Sequence, residues 1–318
     1  MADAYTGVAA SNFDQTAFDL RAWYSLRPEL YFDAFASVNP SAQSFNGAAV
    51  TFTITTDLSA QTTALSESTD VSAIALSDSQ VTVTLAEYGM TSVTTAKLRG
   101  STFIPYDPIV ANLVGFNAGL SLDTICADVL RAGTNVDYMN SSRAARNEII
   151  PTDTLTGAKV SYELAKLRGA YVQPFNGYYL GVIHPDVAYD LKLDTGTGNW
   201  RDPHVYSDPN DLWTGEVGVF SGCRFIEVAR DPLLVADAGS STTLTDVYLN
   251  LFMGQEALAK AHSMLDGNGP YPSIVPGPVT DHLRRFIYMG WYWFGAYAIF
   301  RQSAIRRVET ASSIGTNA

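Results

Sequence analysis

Charge is scarce in this sequence, and positive charge is scarcer still. Charged residues make up 16% of 318, with 20 Lys and Arg against 32 Asp and Glu, a net charge of −12 and a pI near 4.6. A nucleic-acid reader needs basic patches that displace counterions from phosphates, and this balance argues against one. Cysteine is nearly absent: Cys126 and Cys223 stand far apart, which excludes a disulfide scaffold and suits a reduced compartment. The four histidines, His184, His204, His262 and His282, include no pair at i+3 or i+4, so no helix carries a ready metal face. Phosphate loops of the Walker type, dinucleotide fingerprints and Gly-x-Ser-x-Gly elbows are missing. The N-terminus lacks the basic region and apolar run of a signal peptide. The most apolar stretch, Phe286 to Phe300, is bounded by Arg285 and Arg301 and is shorter than the roughly 20 residues of a membrane-spanning helix. These absences lead us to expect synthesis in the cytoplasm, no membrane partner and no cofactor.

What is abundant is apolar and aromatic. Hydrophobic residues reach 47% and aromatics 12%, including 17 Tyr. A soluble monomer usually spreads more charge over its surface, whereas strong interfaces favour aromatic residues. The composition leans toward a subunit that packs among copies of itself.

The first forty-odd residues read as an arm. Phe13, Ala17, Leu20 and Tyr24 recur at helical spacing, Pro28 interrupts, and Leu30, Tyr31, Ala34 and Phe35 form a second short face. From Gly47 to Gly100 the period changes to two. Val50, Phe52 and Ile54 alternate with threonines, as do Val81, Val83 and Leu85, which predicts two strands of a ribbon with a polar tip. A short strand is expected at Val71 to Leu76. Because a two-stranded ribbon is marginal alone, its apolar side chains need a cover from elsewhere.

Asp107-Pro108 predicts the start of a helix of about 25 residues closed by Gly133, with Ile109, Leu113, Phe116 and Leu120 inward and Ile125, Val129 and Leu130 continuing that face. Gly115 and Gly119 would let another backbone approach. Asn135 to Pro151 reads as loop. Thr154 to Arg168 is an amphipathic helix with Val160, Leu164 and Leu167 inward; Tyr178 to Ile183, Arg224 to Val228 and Val247 to Met253 are strands; Asp186 to Leu191 is a small helix. Strands alternating with helices make this a small mixed domain. Pro270 to Pro278 reads as a stiff linker. Arg284 to Val308 is mostly strand, apolar on both faces of Phe286 to Ile299 and therefore sandwiched between layers, with Gly290 and Gly295 as bulges or bends.

The search for chemistry finds little. His184 follows a strand, a place where catalytic groups sit, but it can equally satisfy a strand end. Asp202, Asp208 and Asp211 beside His204 match no calcium-loop spacing. Ser221-Gly222-Cys223 looks like a nucleophile turn without a basic partner, so Cys223 reads as a small buried residue. No residue is assigned a catalytic, cofactor-binding or metal role. Arg284, Arg285, Arg301, Arg306 and Arg307 cluster near the C-terminus; ion pairing is the first reading, and contact of Arg306 and Arg307 with DNA the second.

The order of elements resembles that of the major capsid proteins of tailed bacteriophages, whose fold is named for a Hong Kong coliphage. Trp213 to Glu227 is similar to the Gly-Glu-Ile-Gly…Gly…Glu signature of the branch typified by a podovirus that carries a virion RNA polymerase. Leu65 to Val71 with Glu87-Tyr88-Gly89 resembles the flanks of its extended loop, and Gly290-Trp291 with Gly295 to Ile299 and Ile305 to Ala311 its closing strand. The resemblance implies an α+β fold with an N-terminal arm (1–46), an extended β-ribbon loop (47–104), a peripheral domain with a long spine helix (105–150), an axial domain (151–280) and C-terminal strands that return to the peripheral domain (281–318). It further implies a virion subunit forming pentamers and hexamers around double-stranded DNA, without sequence-specific contact. A portal protein, and a scaffold or cement protein, are the other partners. Phe13, Leu20, Tyr24, Val50, Phe52, Ile54, Val81, Val83 and Leu85 are then expected to meet a neighbouring subunit. A tail or adhesin-type structural protein and a cytoplasmic hydrolase are the alternatives; the first should show repeats, the second a convergent polar site.

Overall fold

The structure is a computed structural model that describes residues 32–38, 48–65, 67–68, 70–102, 106–194, 216–229, 235–237, 246–263, 269–277, 282–283 and 285–314. Phe13, Leu20 and Tyr24 lie outside the described residues, as do Arg284 and the group of Asp202, His204, Asp208 and Asp211.

A 3-10 turn, Phe32–Phe35, leads into a two-residue strand β1 (Ser37–Val38). The ribbon follows as β2 (Ala49–Thr55) and β3 (Asp78–Thr84), then β4 (Ala86–Thr95), a short helix α1 (Ala96–Ser101) and the long helix α2 (Tyr106–Arg131). After β5 (Val136–Tyr138) come α3 (Gly157–Gly169), β6 (Tyr179–Ile183), α4 (Pro185–Leu193), β7 (Glu216–Phe220), β8 (Cys223–Glu227), β9 (Val235–Asp237) and β10 (Asp246–Met253). The chain ends with β11 (Leu258–His262), β12 (Ser273–Pro276), β13 (Phe286–Ile299) and β14 (Ile305–Thr310).

Two larger sheets organise these strands. The first runs β1-β11-β13-β12, with β4 also on β13; the second runs β5-β14-β10-β6-β8-β7, with β9 on β10. The segment from Arg284 to Val308 is therefore two strands serving different sheets. β13 pairs with β4 over Phe286↔Thr95 to Gly295↔Ala86, whereas β14 inserts between β5 and β10. The expected boundary between 280 and 281 is crossed by pairing, since β11 and β12 both bond to β13. The expected proline linker contains β12, whose Pro276 sits at the strand's end.

β13 separates two cores, as its apolar faces require. Trp291, Trp293 and Tyr297 face a core shared with α2 and with Leu180, Val182, Leu251 and Met253 of the second sheet. Phe294, Ala296 and Ala298 face the ribbon. Its glycines do not make bulges, because the register with β4 runs unbroken. They permit close approach instead: a Cβ at Gly290 would stand 2.7 Å from the Met90 carbonyl, and one at Gly295 2.7 Å from that of Ala261.

Helix α2 buries its expected face only toward its C-terminal end, where Leu130 is in the core and Ile125 and Val129 pack against it; over the first half a different stripe is buried. Val110, Val114, Ala118, Leu122, Cys126, Ala127 and Leu130 enter the core, while Leu113 is 47% exposed. Both stripes recur at i+4, so periodicity alone cannot choose between them. The buried one carries Ala118, Cys126 and Ala127, whose small side chains let the helix come close to the sheet. By length and hydropathy Asp107–Arg131 could cross a membrane; its buried stripe packs on the sheet. A Cβ at Gly115 would have nothing within 4 Å, so no described backbone uses the space that this glycine leaves.

In the second sheet, β6 and β10 are buried on both faces. Val160, Leu164 and Leu167 of α3 and Val187, Ala188 and Leu191 of α4 cover one face through Tyr179, Ile183, Phe225 and Phe252.

Candidate assembly surfaces

The ribbon pairs in the register expected of its alternation, Val50↔Val83 and Phe52↔Val81. One face is threonine, with the Thr51 and Thr82 hydroxyls 3.2 Å apart and exposed. The other face already has a cover. Val50, Phe52, Val83 and Leu85 are buried against Ala259, Ala261 and Ala296 of the same chain, and the Phe52 ring meets that of Phe300 edge-on at 5.8 Å. This corrects the assignment of these four residues to a neighbouring subunit. The small alanines on β11 and β13 leave a shallow floor on which the base of the ribbon lies, something no local pattern in the ribbon could reveal. Ile54 and Val81, farther toward the tip, remain half-buried.

Beyond the ribbon the chain changes character. The Thr56 amide donates to the Ser77 carbonyl at 3.0 Å, and the segment between is a strap without helix or strand among its described residues. The strand expected at Val71 to Leu76 is absent. Asp70 accepts from the Val71 amide at 2.8 Å, a local bond of the kind that competes with a ladder. Leu58, Leu65, Val71, Ile74 and Leu76 are 57–72% exposed. Five large apolar side chains on one short strap form the sort of surface that marks a protein contact.

The arm's described end is anchored at three points. Phe32 is fully buried, and its amide donates to Asp123 Oδ1 at 2.7 Å. Asp33 accepts from Lys260 Nζ at 2.6 Å and from the Tyr297 hydroxyl. β1 then adds a parallel strand to β11, Val38 opposite Lys260. Burial, together with Asp33, pushes the Tyr297 hydroxyl well above its usual pKa.

Arg306 and Arg307 are both engaged in ion pairs within the chain. Their side chains are 17% and 12% exposed, and they pair with Glu163 and Asp137, and with Glu309, respectively. Glu163 is fully buried on α3; burial raises its pKa and Arg306 opposes the rise. Burial works against the ionised form of Asp137 too, but hydrogen bonds led by Lys166 and joined by Lys159 hold it below the usual carboxylate range. Arg146 completes the network with two bonds to Glu309, at 2.7 and 2.6 Å. The alternation of charge across α3, β5 and β14 was not legible in the sequence, because its bonded partners are up to 169 residues apart.

The remaining chemical candidates have structural roles. His184 Nδ1 accepts from the Asp186 amide at 3.3 Å and caps α4. Ser221 and Gly222 have φ of 54° and 88° and form the two-residue hairpin turn between β7 and β8 that such angles favour. Cys223 follows it, buried, and burial pushes its thiol pKa up, as it does for Cys126. Among the described residues no group of three or more His, Cys, Asp or Glu could hold a metal ion.

The sheets, the long helix between them and the exposed strap together define a recognisable subunit. The family model described as phage capsid protein matches residues 36–314. The chain belongs to the phage capsid protein family. Its fold is that of the capsid of Ralstonia phage GP4, with a TM-score of 0.76 at 13% identity over 98% of each chain. It is equally similar to the cyanophage Pam1 capsid, at 0.75 and 12% over 98% of this chain and all of that one. The Mycobacterium phage Che8 protein aligns at 0.64 and 15%, covering 97% of this chain and all of the other. No curated protein matches in sequence. The α+β capsid fold expected from the order of elements is thus present, and the family is a structural one.

Proposed function

We propose that this phage capsid protein closes, through pentamers and hexamers, into an icosahedral shell that encloses double-stranded DNA without reading its sequence. The single observation that carries the reading is the strap: its apolar side chains are uncovered among the described residues, although the ribbon that holds it out is firmly seated. A neighbouring subunit is the cover that the fold's family provides. Ile54 and Val81 at the ribbon, and Phe13, Leu20 and Tyr24 of the arm, are the further contacts we assign to that neighbour. Interfaces of standard size, roughly 1,600 Å² each, suffice, since many contacts per subunit add up across a shell. The subunit has no enzymatic role in this reading. It is made in the host cytoplasm and resides in the virion, with a portal protein and a scaffold or cement protein as partners. The local sequence from Trp213 to Glu227 supports the branch with a virion RNA polymerase.

The test is assembly of the recombinant chain, alone and with candidate scaffold partners, imaged by negative stain. The parent should give closed particles. Leu65→Ser with Ile74→Ser and Leu76→Ser should give a folded subunit that does not close. Fibres or small single particles from the parent would overturn the reading.

A further inference from the structure

An open sheet edge is a template for another strand, and shortness, proline and bulges are the usual guards against such pairing. The two larger sheets guard most of their edges in these ways. β1 has two residues, and β5 and β9 have three each. β12 ends on Pro276, and β7 carries an irregularity between Glu216 and Gly218. β4 has none of these guards. It runs for ten residues, about twice the usual strand, without Lys, Arg or Pro and with no shift in its register to β13. β11 and β12 take the other edge of β13, so β4 borders the sheet. Every second residue turns its amide and carbonyl away from β13, and among the described residues no strand pairs with that side. Met90 and Val93 point to opposite faces and are 57% and 50% exposed, so apolar surface flanks the open edge above and below.

The strand fits a second copy of itself. A two-fold axis normal to the sheet sets opposed residues on one face, as antiparallel pairing requires. Centred on Thr91, it places Thr91 opposite Thr91, Val93 opposite Gly89, Met90 opposite Ser92 and Glu87 opposite Thr95. Each exposed apolar side chain then lies across from a small residue. Glu87 carries the only charge on β4. Its opposite, Thr95, is two residues from the exposed Lys97, so unlike charges approach at both ends of the pair. Centring the axis on Met90 instead would set Glu87 against Val93.

We propose that β4 pairs antiparallel with β4 of a second copy about this two-fold, joining two five-stranded sheets into one. The pairing goes beyond the shell reading and can be tested on unassembled subunits, so either can fail alone. Thr91→Cys is the deciding variant. Directly opposed residues of an antiparallel pair have Cα atoms about 4.5–5.5 Å apart, within disulfide reach, and the native Cys126 and Cys223 are buried. Oxidation of the full-length variant should therefore give a dimer band, and no higher ladder, on a non-reducing denaturing gel. Met90→Lys with Val93→Lys sets charge along the edge. Because both side chains are exposed, this variant should melt with the parent while dimer affinity, measured by analytical ultracentrifugation, falls at least about tenfold. A Thr91→Cys chain that stays monomeric on oxidation, free and in shells alike, would overturn the proposal. So would a parent dimer whose affinity the two lysines leave unchanged. Should the lysines unfold the subunit, the cross-link decides by itself. A dimer band without closed particles from the parent would leave the pairing standing and overturn the shell reading.

Discussion

Lys260 Nζ lies 2.6 Å from Asp33 Oδ1, a buried cation on β11 that holds the first described turn of the arm. The rings of Tyr271, Trp293 and Tyr297 surround the ammonium at 4.9, 5.8 and 5.4 Å, an arrangement that favours a cation. Removing one partner of such a pair strands the other, at a cost of about 3–5 kcal/mol when burial is complete. Asp33 is partly exposed, so Asp33→Ala should fall at or below the lower end of that range. Asp33→Ala with Lys260→Met should recover much of the loss. Urea melts of the four proteins measure the coupling, and additive effects would mean that the pair does not hold the arm.

The ribbon gives a prediction opposite to the one its sequence suggests. Because Phe52 packs in the chain's own core, Phe52→Ala should destabilise the isolated subunit by about 3–5 kcal/mol. Aspartate at Phe52 and Val83 should prevent folding rather than spare it. Strap variants at Leu65 or Ile74 should stay within about 0.5 kcal/mol of the parent. Thermal melts of unassembled subunits separate the two classes, and equal stability for Phe52→Ala would return that residue to the interface.

These contrasts show what the sequence carries. Periodicity located the ribbon, α3, β6, β8 and β10 to within a few residues, because each alternates or repeats over one continuous segment. It missed β4's ten-residue pairing with β13 and the insertion of β14 between β5 and β10, which depend on partners distant in the chain. It chose the wrong stripe over the first half of α2, since Leu113 and Val114 are equally apolar and only the tertiary contact decides. Of the candidate surfaces, the strap's leucines and isoleucine were visible but read as a polar tip.

His262 makes stability depend on pH. It is buried on β11 and its Nδ1 has no hydrogen-bond partner among the described residues; burial first, and Lys260 second, lower its pKa below 6.5. The unfolded chain therefore takes up a proton before the folded one does. The histidine's contribution is constant above about pH 6.5 and is lost as pH falls from there through the depressed folded value. His262→Gln should melt with a shallower loss of stability between pH 7 and 5 than the parent. Parallel curves for the two proteins would show that another group sets the slope.

Arg306 provides the sharpest test of the proposal that the protein does not grip DNA. Its guanidinium lies 2.5 Å from Glu163 and 3.4 Å from Asp137, inside the second sheet's ion network. Arg306→Ala leaves the fully buried Glu163 without its closest cation, which costs about 3–5 kcal/mol in comparable cases. The lower end applies here, because Lys159 remains 3.3 Å from the same carboxylate. If the arginines are committed to that network, they contribute nothing to phosphate binding. Free parent subunits should then bind duplex DNA weakly, with a log–log salt slope corresponding to about two phosphate contacts or fewer. Arg306→Ala with Arg307→Ala should leave that slope unchanged while lowering the melting temperature. Fluorescence anisotropy across a salt series supplies the slope. A steep parental dependence that flattens in the double variant would mean that both side chains leave Glu163 and Glu309 to hold the genome.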